Sequence, residues 1–87
     1  MNFEIHLSNR AKKFLKNTDK DLFDRIVKRL EELSKDPFPM DSKRVIGQKE
    51  KVFRVRVGDY RILYAVFLEE NSLLVVNIDK RSKVYRK

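Results

Sequence analysis

A chain of 87 residues closes one modest hydrophobic core, so the sequence predicts a single domain over 1–87 with no room for a separate cofactor domain. Cysteine is absent, which removes disulfides, thiolate metal sites and a cysteine nucleophile together and suits a reducing, cytoplasmic setting. The net charge is +8, of which 1–43 contributes +2 and 44–87 contributes +6; such a field serves either solubility and heat adaptation or a polyanionic partner, nucleic acid or acidic protein.

Residues 2–7 alternate, with Phe3, Ile5 and Leu7 on one side, which predicts a short half-buried strand. The opening MNFEIHLSNRAKKF has no long apolar run, and no later stretch approaches the ~20 apolar residues that cross a bilayer, so a soluble, unprocessed chain is expected. Ser8 reads as the cap of a helix in which Ala11, Phe14 and Leu15 share a face. A longer helix is expected from Asp19 to about Ser34, capped by Thr18, with Asp19 and Asp21 near its positive end. Its apolar stripe is Leu22, Phe23, Ile26, Val27, Leu30 and Leu33. Pro37 and Pro39 then stop the helix and make a loop.

From Arg44 onward the period changes to two. Strands are expected at 44–46, 52–57, 60–68 and 72–79, with turns at Gly47, at Gly58-Asp59 and at 69–71. The order β-α-α-β-β-β, with a further short strand, defines an α+β fold: a mostly antiparallel twisted sheet with a helical hairpin packed on one face.

The stretch VFRVRVGDYRILYAV carries the most information. A two-residue turn at Gly58-Asp59 pairs Val57 with Tyr60, Arg56 with Arg61, Val55 with Ile62 and Arg54 with Leu63. Phe53, Val55, Val57, Tyr60, Ile62 and Tyr64 then face the helices, and Arg54, Arg56 and Arg61 share the other face. Arg56 opposite Arg61 is a like-charge pair that folding alone disfavours. Two readings fit, snorkelling arginines over apolar sheet or an anion site, and convergence beside a basic tail favours the second. No acid within the hairpin lies on that face, although Glu50 or Asp79 can reach it from elsewhere.

The tail DKRSKVYRK surrounds Tyr85 with Lys80, Arg81, Lys83, Arg86 and Lys87. Cations interleaved with an aromatic suit RNA, where guanidiniums meet phosphates and a ring stacks on a splayed base; the plain alternative is a frayed terminus. If the last strand runs antiparallel to 60–68, the tail emerges beside the Gly58-Asp59 turn. His6 is the sole histidine and faces away from Phe3, Ile5 and Leu7, so neither a transition-metal site nor a histidine-dependent nucleophile is expected. Gly47 and Gly58 are the only glycines, which excludes a glycine-rich phosphate loop.

The hairpin R-x-R-x-G-x-Y-R, its GQKEKVFRVRVGDYR approach and the terminal K-R-x-x-x-Y resemble the RelE-type toxins of the RelE/ParE toxin superfamily, over nearly the whole chain. The resemblance implies a toxin of a type II toxin-antitoxin system: a metal-independent endoribonuclease, without cofactor, that cleaves mRNA in the ribosomal A site and inhibits translation. It also implies inhibition by a RelB-type antitoxin in a higher heteromeric complex. By position the catalytic set falls on Arg54, Arg56, Arg61, Arg81 and Tyr85, with Lys49, Lys51, Lys80, Lys83 and Arg86 assigned to RNA binding. Arg54 and Arg56 stand where lysines are common in the family. Metal-free RNA cleavage needs a base for the 2′-hydroxyl, stabilisation of the phosphorane charge and an acid for the 5′-oxygen. An arginine stays protonated up to a pKa of ~12 and above, so Arg54, Arg56 and Arg61 suit phosphate binding and transition-state charge, not proton abstraction. Arg81 is assigned to charge or leaving-group assistance and Tyr85 to stacking or 2′-hydroxyl activation, with Lys80 and Lys83 as further candidates for the base. Two other readings stand beside this one, a ParE-like gyrase inhibitor without nuclease chemistry and a non-enzymatic basic nucleic-acid-binding module.

Overall fold

A computed structural model describes residues 2–45 and 51–80. The elements run β1 (Glu4–Leu7), α1 (Asn9–Asn17), α2 (Lys20–Lys35), β2 (Lys43–Arg44), β3 (Val52–Val57), β4 (Tyr60–Phe67), a 3-10 turn (Leu68–Glu70) and β5 (Ser72–Lys80). The sheet order is β1-β5-β4-β3-β2. All neighbours are antiparallel except β1 and β5, which run parallel from Glu4 opposite Ser72 to Leu7 opposite Val75. The expected α+β arrangement, a helical hairpin on one face of a mostly antiparallel sheet, is the one observed.

β1 starts at Glu4 instead of residue 2 and β5 runs on to Lys80; three further boundaries differ from expectation, each for a local reason. Asp19, not Thr18, caps α2: its carboxylate accepts from the Leu22 N–H at 2.8 Å, adding charge to the usual cap bond at a helix N-terminus. β2 covers Lys43 and Arg44, starting one residue earlier than the expected 44–46, because the observed register sets Lys43 against Arg54 and Arg44 against Phe53; Ile46 and Gly47 lie outside the described residues. β4 stops at Phe67, since Leu68–Glu70 tighten into the 3-10 turn and Asn71 closes it at φ 50, a conformation asparagine tolerates better than most residues.

The core forms where α1 and α2 lay their apolar stripes on the sheet. Ala11, Ile26 and Leu33 from the helices meet Ile62 and Tyr64 of β4 and Leu73 and Val75 of β5, all without solvent exposure. Full burial of each large aliphatic side chain contributes about 1.5–3 kcal/mol. At the ends of the layer, Phe14 meets Tyr60 edge-on and Phe38 meets Phe53 likewise, with centroids 5.5 and 5.1 Å apart.

Two tethers determine what reaches the opposite face. First, β5 shifts register where Leu63 and Tyr64 of β4 meet it: Asn77 opposes Leu63, but Val75 opposes Tyr64, leaving Val76 as the extra residue. Ile78, Val75 and Leu73 therefore all face the helices, and Asn77 and Asp79 turn to the other side. Ser8 holds this bulge while capping α1: its Oγ accepts from Ala11 N and donates to Val76 O at 2.7 Å. Second, the loop after α2 is pinned by Tyr64, whose hydroxyl donates to Pro37 O at 2.7 Å, and by Arg29, which donates to Glu32 and to Asp41. That loop delivers Lys43 to the sheet edge.

Candidate nucleic-acid interface

The hairpin register is the one the turn predicts, with Arg56 directly opposite Arg61 and Arg54 opposite Leu63. Gly58 supplies the positive φ, 59°, that such a turn requires. Val55, Val57, Ile62 and Tyr64 are buried against the helices, so Arg54, Arg56 and Arg61 share the face without helices. Their depths differ. Arg56 is exposed and Arg54 half-buried, whereas Arg61 is only 3% exposed. Side-chain alternation sets the face but not the depth, and Arg61 lies on an interior strand with Arg56 across one boundary and Asp79 across the other.

The bulge in β5 is what places Asp79 there. Asn77 Nδ2 donates to Asp79 Oδ2 at 3.1 Å, which fixes the carboxylate on the side of Arg61. A carboxylate beside a buried guanidinium offsets part of its desolvation. Arg61 thus acts as the anchored base of the cationic face, and Arg54 and Arg56 as its accessible part.

Sequence reasoning missed one cation. Lys43, exposed on β2, sits opposite Arg54; the signal was a strand placed one residue too late. Asp41, Lys43, Arg54, Val55 and Arg56 line a concavity of about 400 Å³. Lys51 is exposed just before β3, and Lys80 is exposed at the end of β5 opposite Tyr60, beside the turn. Lys49, Arg81, Lys83, Tyr85 and Arg86 lie outside the described residues. The structure therefore brings together Arg54, Arg56 and Arg61 of the predicted set and adds Lys43 and Asp79, whereas Lys80, paired with Tyr60, lies on the helix-covered side of the sheet and does not join them.

The titration shifts belong to the scaffold behind this face. Burial pushes the Tyr64 hydroxyl up to about 12, against the lowering by the Ser42 hydroxyl and the Arg29 charge. Hydrogen bonding to Arg29 holds the Asp41 carboxyl below its ordinary value. Burial lowers the Arg29 pKa, but its bonds to Asp41 and Glu32 outweigh this and raise it. Among the described residues no three His, Asp or Glu side chains converge as a metal set would, and no helix is long and apolar enough to cross a membrane.

A helical layer on one face of a five-stranded sheet and a cationic patch on the other define a class: small α+β proteins with one helix-covered and one cationic sheet face. The family model described as ParE toxin of the type II toxin-antitoxin system parDE matches residues 5–85. The chain belongs to this family, within the RelE/ParE superfamily, and is a toxin of type II toxin-antitoxin character. It is 29% identical to the RelE1 protein of Methanocaldococcus jannaschii over 99% of this chain and 98% of that one. Its fold is that of the toxin in the archaeal RelE-RelB complex from Pyrococcus horikoshii, with a TM-score of 0.82 at 22% identity over 95% of this chain and 99% of that one. The E. coli RelBE toxin-antitoxin complex gives 0.78 at 20% identity over 90% and 95%.

Proposed function

We propose that this toxin is a ribosome-dependent, metal-independent endoribonuclease that cleaves mRNA in the A site and thereby stops translation in the cytoplasm. The observation that carries this reading is the convergence of Arg54, Arg56 and Arg61 on one open sheet face, with a like-charge pair in direct register that folding alone disfavours. Arg54 and Arg56 bind the scissile phosphate and stabilise charge as the phosphorane forms, while Arg61, set beside Asp79, holds the local potential. Arg81 assists the leaving 5′-oxygen and Tyr85 stacks on a base or activates the 2′-hydroxyl, with Lys80 or Lys83 as the alternative base. Lys49, Lys51 and Arg86 add phosphate contacts along the strand. The reaction needs no cofactor in this scheme, and the whole of 1–87 acts as one domain.

A RelB-type antitoxin is the proposed inhibitor, assembling with the toxin into a higher heteromer. A groove of about 400 Å³ between α1, α2 and β1 supports this. Ile5, Leu7, Leu15, Phe23 and Val27 line it with Lys12 and Lys16 at its rim, which suits an acidic chain with apolar anchors that folds on contact.

The test is cleavage of mRNA on programmed ribosomes, read by primer extension. Cleavage is expected only with ribosomes present, to be relieved by the antitoxin, and to fall by about 10²-fold or more in Arg54→Ala/Arg56→Ala. Intact mRNA at micromolar protein would remove the enzymatic reading. The matching family's description as ParE toxin favours a second reading, inhibition of DNA gyrase through protein contact; accumulation of cleaved gyrase-DNA complexes together with intact mRNA selects it.

A further inference from the structure

The cations do not end at the open face. Among the described residues, β2 and Val45 after it cover β3 at Arg54, Phe53 and Val52 and no nearer the turn. Nearer the turn, Val57 and Tyr60 form the hydrogen-bonded pair that closes a two-residue hairpin, so Arg56 directs its backbone N–H and C=O to the uncovered outer edge. Two concavities flank that edge. One is the 400 Å³ space with Lys43 and Arg54. The other, of about 200 Å³, lies between α2 and the turn and is lined by Arg25, Lys28, Arg29, Glu32, Arg56 and the Val57-Gly58 backbone. Arg56 belongs to both.

Each concavity contains one acid, Asp41 in the first and Glu32 in the second, and Arg29 holds both. Its Nη1 donates to Glu32 Oε1 at 3.1 Å and its Nη2 donates to Asp41 Oδ2. One arginine, mostly buried, so neutralises the acids of both spaces from within. Arg25, Lys28, Arg54, Arg56 and Lys43 are left facing outward, and the near acid, Asp21, lies 3.7 Å from Arg25 and is highly exposed. The Arg25 guanidinium lies against the turn, where a Cβ on Gly58 would stand 2.6 Å from Nη2. Gly58 provides the positive φ of the turn, and Arg25 lines the same concavity as Arg56.

We infer that this rim is a second phosphate-binding subsite, at which Arg25 and Lys28 of α2 extend the track of Lys43, Arg54 and Arg56 and hold the phosphodiester backbone of an RNA chain passing round the β3-β4 turn. The ligand is RNA in preference to an acidic peptide because the lining offers five outward cations and only two valines, with none of the large apolar anchors a peptide needs. The inference deepens the RNA-directed reading above but requires binding alone, not cleavage.

The test uses fluorescence anisotropy of the full chain with a labelled, single-stranded 2′-O-methyl RNA that lacks the attacking hydroxyl, titrated with NaCl. Arg25→Gln/Lys28→Gln is compared with Arg10→Gln/Lys13→Gln, an equal loss of charge at exposed positions on α1. The rim pair is expected to weaken binding about tenfold at low salt and to make the slope of log K against log salt shallower by about 1.4, with about a twofold change at most in the control. Equal effects in the two variants, or an unchanged slope, would overturn the subsite. So would an effect of the rim pair on poly-glutamate binding without one on RNA, which would assign the rim to a protein. Ribosomal cleavage measured in parallel separates the two claims. A wild-type chain that binds RNA through the rim and leaves mRNA intact defeats only the nuclease reading, and a cleaving chain indifferent to Arg25 and Lys28 defeats only the rim.

Discussion

Arg61 and Ile62 are neighbours in β4, 3% and 0% exposed, and opposite physics buries them. Ile62 gains by leaving water and lies in the core cluster with Ile26 and Leu33 of α2 and Leu73 and Val75 of β5. Arg61 faces the other way, between Arg56 and Asp79, where burial is unfavourable unless charge and hydrogen bonds compensate it. One face of the sheet is therefore set by shape and the other by charge balance, and substitutions on the two faces should separate stability from activity.

The largest effect is expected on the helix-covered face. Ile62→Ala should lower the unfolding free energy by about 2–5 kcal/mol, seen as a drop in the urea midpoint, while any molecules still folded retain RNA affinity. Arg61→Ala should cost about 1–3 kcal/mol, because it leaves Asp79 in the sheet without its guanidinium neighbour, and should also abolish cleavage. Arg56→Ala, on the exposed partner across the strand boundary, should remove activity with a stability change within about 0.5 kcal/mol. If Arg61→Ala and Arg56→Ala shift the midpoint equally, the contrast between the two arginines is lost.

A smaller effect tests how the faces are kept apart. Ser8→Ala removes both the α1 cap bond and the donor to Val76 O at the bulge, at a cost of about 1–2 kcal/mol. Hydrogen exchange should accelerate around Val75 and Val76, and RNA affinity should change as Asp79 loses its fixed place; acceleration confined to α1 would show that the bulge stands without Ser8.

The smallest change sits behind the core. Tyr64→Phe deletes the bond to Pro37 O for about 1 kcal/mol. The hydroxyl titrates higher folded, at about 12, than unfolded, at 10.0, so its contribution is complete below pH 10 and fades as pH rises toward 12. Alkaline unfolding curves should show this part of the decline in the wild type and not in the variant.

Much of this contrast was legible in the sequence. Gly58-Asp59 fixes the hairpin register, and register with alternation assigns every side chain of β3 and β4 to a face. The α2 stripe and the prolines placed the helical layer in the same way. The parallel pairing of β1 with β5 was not legible, since it joins segments 68 residues apart with no turn to declare it. Nor was the depth of Arg61. Strict alternation would put Asp79 on the side of Leu73 and Val75; the bulge at Val76 reverses this, and a bulge leaves little mark in a run such as SLLVVNIDK. Lys43 was lost to a one-residue error in β2, and Arg25 and Lys28 fell outside the candidate site because a helix surface facing away from its apolar stripe is ordinarily just solvated.

The β1-β5 pair also governs the order of assembly. Until 72–80 has been synthesised, β1 has no strand to join, Ser8 has no Val75 or Val76 carbonyl to meet, and much of the surface on which α1 rests does not exist. Helices can flicker early, but β4 becomes an interior strand only when β5 joins it, and contacts across so long a loop close slowly and together. The arginine face accordingly becomes a complete surface only when β5 has paired with β4 on one side and β1 on the other.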